Sequence, residues 1–278
     1  MSRDLVLAVL VLISCGSLAC VAGLLPSAGR VRAGAEPRAW RRLWAPLAPA
    51  AAAFALLVGW ALHEPSVTDE IISPAALLLA TPLALVWARA ALRAAAALRA
   101  RVQGLPAGVV GLIRPRVVVD PTFRGALDAA SLEAVLAHEG AHARHRDPLR
   151  IWLAQLATDL QGAPRGARAR LDAWLEALET ARDDEARRAG VRGADLANAL
   201  VLAARAAAPP APAAVATLGS PEALLAARVD RLLAPLERPA PRRASLALVA
   251  LACAIGTAAL AGWLRGDLFV RALPFVSS

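Results

Sequence analysis

Four runs without a charged side chain constrain this sequence more than anything else in it. They cover residues 5–25, 44–62, 71–88 and 245–264. Each is close to the roughly 20 residues that an apolar helix needs to cross a bilayer. Pro74 and Pro82 interrupt the third. Hydrophobic residues make up 58% of the chain and its mean hydropathy is +0.52, more apolar than an ordinary soluble protein. The expectation is a mostly α membrane protein with four transmembrane helices. At the first run, Leu12-Ile13-Ser14-Cys15 looks like a lipoprotein cleavage box. The apolar run continues well past Cys15, however, and Ser2-Arg3-Asp4 carries no net positive charge. The segment therefore reads as a retained span and not as a removed signal.

The net charge of +9 comes entirely from arginine, because the chain has no lysine. Its placement says what it is for. Arg30, Arg32, Arg38, Arg41 and Arg42 follow the first run, and Arg89, Arg93, Arg99 and Arg101 follow the third. Arg242 and Arg243 precede the fourth, whereas the loop between the second and third holds Glu64, Asp69 and Glu70 without an arginine. By the positive-inside rule, both termini face outward and residues 98–244 form a cytoplasmic domain of an inner or plasma membrane protein. The basic charge is then a topology signal, with the lipid bilayer as partner and no nucleic acid. Residues 1–97 hold three spans and the basic inner loop, and 265–278 form a short outer tail. Cys15, Cys20 and Cys253 all lie in the apolar runs, which leaves the domain neither disulfides nor thiol ligands.

Within the domain, Val109-Val110-Gly111-Leu112-Ile113 and Val117-Val118-Val119 flank Arg114-Pro115 and read as two short strands around a turn. Asp128 can cap a helix that must stop near Asp147-Pro148. Leu149 to Leu160 reads as an amphipathic helix, packed beneath its predecessor or lying on the membrane surface. A long helix runs from Arg168 to about Ala189, a Pro/Ala linker covers 209–220, and Ser220-Pro221 opens a last helix. The expected fold of this cytoplasmic domain is α+β, within a chain that is mostly α.

The chemistry is concentrated in the first of those helices. Of four histidines, His138, His142 and His145 fall in one short stretch. His138-Glu139-Gly140-Ala141-His142 is the H-E-x-x-H pattern. Four-residue spacing on a helix brings both imidazoles to one face, where they can share a Zn²⁺. Glu139 stands beside them, placed to take a proton from water and not to bind metal. Glu179 and Asp183 repeat the spacing on the later long helix. This suits a third ligand, Glu179, with Asp183 bonded to the far nitrogen of a ligand histidine. Glu176 and Asp184 are rival ligands, and an acidic face paired with Arg182, Arg187 and Arg188 is the plain structural alternative.

These stretches together resemble the BlaR/MecR-type membrane metallopeptidases, gluzincin-like enzymes with a cytoplasmic zinc domain between the third and fourth of four spans. The resemblance rests on Arg114-Pro115 with Val118-Val119, on Leu132 to Leu149 around the H-E-x-x-H pattern, on Glu179 to Asp184, and on Arg228 to Leu233. It covers roughly residues 100–265 and implies a zincin-like metallopeptidase domain. By that similarity His138, His142 and Glu179 would be zinc ligands and Glu139 the catalytic base. Gly140 and Arg182 depart from the family's usual residues. The antibiotic-sensing members continue after the fourth span into an extracellular penicillin-binding domain. Only Arg265 to Ser278 stand there here, so β-lactam recognition is not carried over.

The resemblance implies an integral-membrane zinc endopeptidase that cleaves a cytoplasmic protein, with a transcriptional repressor as the family's precedent. An extended substrate would lie beside Val117, Val118 and Val119, using backbone pairing. The alternatives are an HtpX-type quality-control protease, or a non-catalytic membrane scaffold that keeps the fold. An intact Glu139 speaks against the scaffold.

Overall fold

Aspartates and prolines set where the helices begin. In the computed structural model, which describes residues 35–51, 74–99, 105–206 and 222–236 together with positions 16 and 54, helix α1 spans Glu36–Trp44 and runs into a 3₁₀ turn at Ala45–Leu47. Helix α2 is Pro74–Arg99, β1 is Ala107–Val110 and β2 is Arg116–Val119. Then come α3 (Pro121–Ala126), α4 (Ala129–Arg144), α5 (Asp147–Leu160), α6 (Arg165–Arg188), α7 (Gly193–Ala206) and α8 (Glu222–Leu233). All of the expected first span but position 16, most of the second, the 209–220 linker, the fourth span at 245–264 and the tail lie outside the described residues.

The Asp120 carboxylate accepts from the backbone N–H groups of Thr122 and Phe123 at 2.9 and 3.1 Å, starting α3. Asp128 accepts from Ser131 N–H at 2.6 Å and starts α4 as expected. Between α4 and α5 the chain turns through Arg146, which sits in the left-handed region at φ 52°. Helix α5 begins two residues ahead of the expected Leu149, because Pro148 fits the first turn of a helix and Asp147 complements its positive end.

The two strands pair antiparallel, with Val109 opposite Val117 and Gly108 opposite Val118. Their turn depends on Gly111 at φ 96°. A Cβ there would also come within 2.8 Å of the Arg114 carbonyl oxygen.

Three buried clusters hold the helices together. Trp174 and Leu178 of α6 pack with Ala154 and Ala157 of α5, and with Leu43 and Leu47 from α1 and the turn after it. The loop between the first two apolar runs is therefore partly a helix docked on the domain, and Trp44, the first residue of the expected second span, packs against that core. Trp174 is fully buried, and truncating such a side chain costs about 3–5 kcal/mol. Helix α7 was absent from the sequence expectation. It fills the space between α4 and α8 with Leu196 and Ala197, and its Asn198 side chain donates to Ser131 Oγ at 3.0 Å. At its start, a Cβ on Gly193 would fall 2.0 Å from the Leu232 carbonyl oxygen. Phe123, Val135 and Ala199 form the third cluster.

Helix α2 runs unbroken through Pro82 to Arg99. Thr81–Arg99 within it is, among the described residues, the helix long and apolar enough to cross a membrane. Leu78, Leu85, Leu92 and Leu98 are exposed along it. Its later turns hold the domain: the Trp152 indole N–H donates to the Ala94 carbonyl at 3.0 Å, and Arg93 pairs with Asp159 at 3.3 Å. The amphipathic helix α5 thus lies between α2 and α6.

Candidate metal centre

Helix α4 carries His138, Glu139 and His142 on its buried side, and α6 crosses it with Glu179 and Asp183. The two histidine Nε2 atoms are 3.1 Å apart. Glu179 Oε2 is 3.6 Å from His138 Nε2, and its Oε1 is 3.6 Å from His142 Nε2. One donor atom from each of the three residues lies within 4.8 Å of the others. Donors about 2.0–2.1 Å from one tetrahedral Zn²⁺ would stand roughly 3.3–3.4 Å apart; the two Nε2 atoms are slightly closer than that, and each Glu179 oxygen is slightly farther from its own histidine.

The outer nitrogens explain how the rings are held. His142 Nδ1 is 2.9 Å from Asp147 Oδ2, and His138 Nδ1 is 3.0 Å from Asp183 Oδ1, a close contact though poorly aligned for a hydrogen bond. With their protons on these outer nitrogens, both rings would turn an Nε2 lone pair toward a shared ligand. The two Nε2 atoms are close enough to share one proton or one metal ion, Arg228 Nη2 lies 3.4 Å from that of His138, and the buried Glu179 Oε2 takes no well-aligned hydrogen bond. The donor set therefore fits a divalent metal ion with nitrogen and oxygen preferences.

Arginines hold the carboxylates in place. Arg228 of α8 donates to Asp183 through Nε at 2.7 Å and Nη2 at 2.8 Å, and its Nη1 is 3.0 Å from Glu179. Arg182 donates to Asp147 through Nε at 2.5 Å and Nη2 at 2.9 Å. Burial pushes Glu179 and Asp183 up, but Arg228 and the imidazoles overcome it and hold both below the ordinary carboxylate range. Burial likewise works against a charged His138, yet Asp183 and Glu179 prevail and push it up to about 10. Asp147 is lowered against its burial by His142 and Arg182.

Glu139 differs from all of them. It is buried and makes no hydrogen bond or ion pair among the described residues. Burial raises its pKa, with the two imidazoles pulling the other way. Burial disfavours its charged form, and a carboxyl group with no fixed donor beside the two imidazoles is placed to exchange a proton.

The rival carboxylates lie elsewhere. Glu176 is exposed, and Asp184 pairs with Arg231 at 2.7 Å and Arg188 at 3.5 Å. Val117, Val118 and Val119 lie in β2, with Val118 exposed. The sequence reading did not foresee the parts played by Asp147, Arg182 and Arg228. From sequence Asp147 marks a helix boundary, yet it lies five residues after His142, close enough to reach that ring.

Comparison of this chain with protein family models, with curated proteins and with solved structures gives no match.

Proposed function

We propose that this chain is a membrane-anchored zinc endopeptidase. One observation carries it: His138, His142 and Glu179 converge within 4.8 Å, with the buried Glu139 beside them on the same helix. Zinc bound there would supply Lewis acidity and make water a nucleophile near neutral pH. Glu139 then accepts the proton of the attacking water and passes it to the leaving amine. Asp183 and Asp147 keep the two imidazoles turned toward the metal. Arg228 balances the negative charge of Glu179 and Asp183. The substrate lies extended along β2, whose second edge has no ladder partner among the described residues. Backbone pairing there recognises an unfolded segment with little regard for its sequence.

The membrane part of the proposal rests on the four apolar runs and the one-sided arginines. Gly16, in the first run, adds a packing argument. A Cβ on it would stand 2.5 Å from Leu83 of α2, the close approach that small residues permit between membrane helices. On this topology the site faces the cytoplasm and takes a cytoplasmic protein, with a repressor as the family precedent.

The test is metal dependence. The purified chain in detergent should hold about one zinc and cleave a quenched-fluorescent peptide library. A chelator should stop cleavage, zinc should restore it, and His142→Ala should lose both zinc and cleavage. Undiminished cleavage by the metal-free wild type would exclude the proposal.

A further inference from the structure

The arm that holds His142 does not end at Asp147. Asp147 Oδ1 accepts from Arg150 Nη1 at 3.1 Å, and Arg150 Nη2 donates to the Glu36 carboxylate on α1. The same Glu36 oxygen accepts from the Trp174 indole N–H at 3.2 Å. The Arg150 guanidinium lies 5.1 Å from the Trp40 ring and 5.6 Å from that of Trp174, within the range of a cation–π contact. Two of these four partners, Glu36 and Trp40, come from α1. That helix belongs to the segment between the first two apolar runs, and its last residue, Trp44, stands 94 positions before His138 in sequence.

We propose that α1 is a positioning arm for the metal site: Glu36 fixes Arg150, Arg150 joins Arg182 in fixing Asp147, and Asp147 turns His142 toward the metal. This rests on the metallopeptidase reading and adds a regulatory handle to it. With Glu36 in place, the Arg150 charge is shared between two carboxylates. Without it, Arg150 draws on Asp147 alone, and Asp147 pulls less on the His142 ring proton. The ligand becomes a poorer donor and its ring is less firmly oriented. Any force that lifts α1 from the domain would then weaken the site without touching a ligand. Because α1 lies between two apolar runs, a rearrangement of those runs is a direct way to lift it.

The full chain in detergent micelles can be titrated with Co²⁺, whose visible absorption reports coordination without any cleavage assay. Asp147→Asn should weaken cobalt binding about 10–100-fold, as loss of a ligand's direct partner does. Arg150→Met should weaken it less, and Glu36→Gln about 3–10-fold, because each acts one link further away. All three should alter the cobalt spectrum. Glu176→Gln, which removes an exposed charge from α6, should leave affinity and spectrum unchanged. If Glu36→Gln and Arg150→Met lower the melting temperature but bind cobalt as wild type does, α1 is only a brace and the proposal fails. An equal loss in Glu176→Gln would also overturn it, since bulk charge would then be the cause. A wild-type chain that binds no cobalt removes the metallopeptidase reading as well; normal wild-type binding with unaffected variants removes only the arm.

Discussion

Replacing Glu139 by glutamine should move activity and stability in opposite directions. The amide has nearly the same shape and cannot accept the proton of the attacking water. General-base catalysis contributes about 10²–10⁴-fold, so peptide cleavage should fall by that factor, or about 2.7–5.4 kcal/mol of transition-state stabilisation. Stability should not fall with it. The Glu139 carboxylate is buried without a hydrogen bond among the described residues, and burial holds its pKa above the ordinary range. A raised carboxyl pKa means that ionisation at neutral pH works against the folded state, and glutamine removes that charge. Zinc content should stay near one per chain, because Glu139 is not among the converging ligands. Three measurements on one preparation suffice: zinc by atomic absorption, thermal unfolding in detergent at pH 7, and peptide turnover. Full turnover with zinc retained would refute a base at position 139. Loss of zinc, or a drop in melting temperature like that of a ligand deletion, would show that Glu139 is structural instead.

Gly193→Ala drives a methyl group against the Leu232 carbonyl, and should cost about 1–3 kcal/mol, lowering the melting temperature by about 2–12 °C at this chain length. Gly125→Ala, where a Cβ meets nothing within 4 Å, should instead leave stability unchanged or raise it by about 0.4–1 kcal/mol; the reverse order in thermal unfolding would contradict both packing assignments. In chelator, stability should decline as pH rises from about 6.5 toward 10, because His138, raised to about 10, contributes fully below its unfolded value and loses that contribution above it. Saturating zinc should flatten the decline, since the metal replaces the proton; a metal-free chain equally stable at pH 6 and pH 9.5 would rule out a charged His138.

What could be read from the sequence was what local periodicity encodes. Four-residue spacing on a helix is enough to bring His138 to His142 and Glu179 to Asp183, and β-branched residues on either side of Gly111 announce the hairpin. Which carboxylate meets the imidazoles was not fixed by spacing. Glu176, Glu179 and Asp184 all lie on α6, and only the crossing of α4 over α6 selects Glu179. The role of Asp147 was hidden because its strongest partner, Arg182, lies 35 residues away in sequence. Helix α1 was masked by its own arginines. Arg38, Arg41 and Arg42 read as a topology signal, while Trp40, Leu43, Trp44 and Leu47 already stood at helical spacing and marked a buried face. Helix α7 went unnoticed in an alanine-rich stretch where Leu196 and Leu200 were the only clear stripe. Arg228 could be assigned no task from sequence, since its two carboxylates sit 45 and more residues upstream.

The bond from Trp152 to the Ala94 carbonyl, with the Arg93–Asp159 pair beside it, sets a distance as well as a fold. Ala94 lies about 9 Å along α2 from Ala88, at 1.5 Å per residue, and Ala88 is where the apolar run ends and the arginines begin. With α2 crossing the bilayer as proposed, the metal centre would be held at a set depth below the membrane surface. Candidate substrates would be sorted by altitude. A segment tethered to the same membrane must have enough slack to reach that depth, and a shorter stalk escapes whatever its sequence. Lengthening or shortening such a stalk would then decide which proteins are cut.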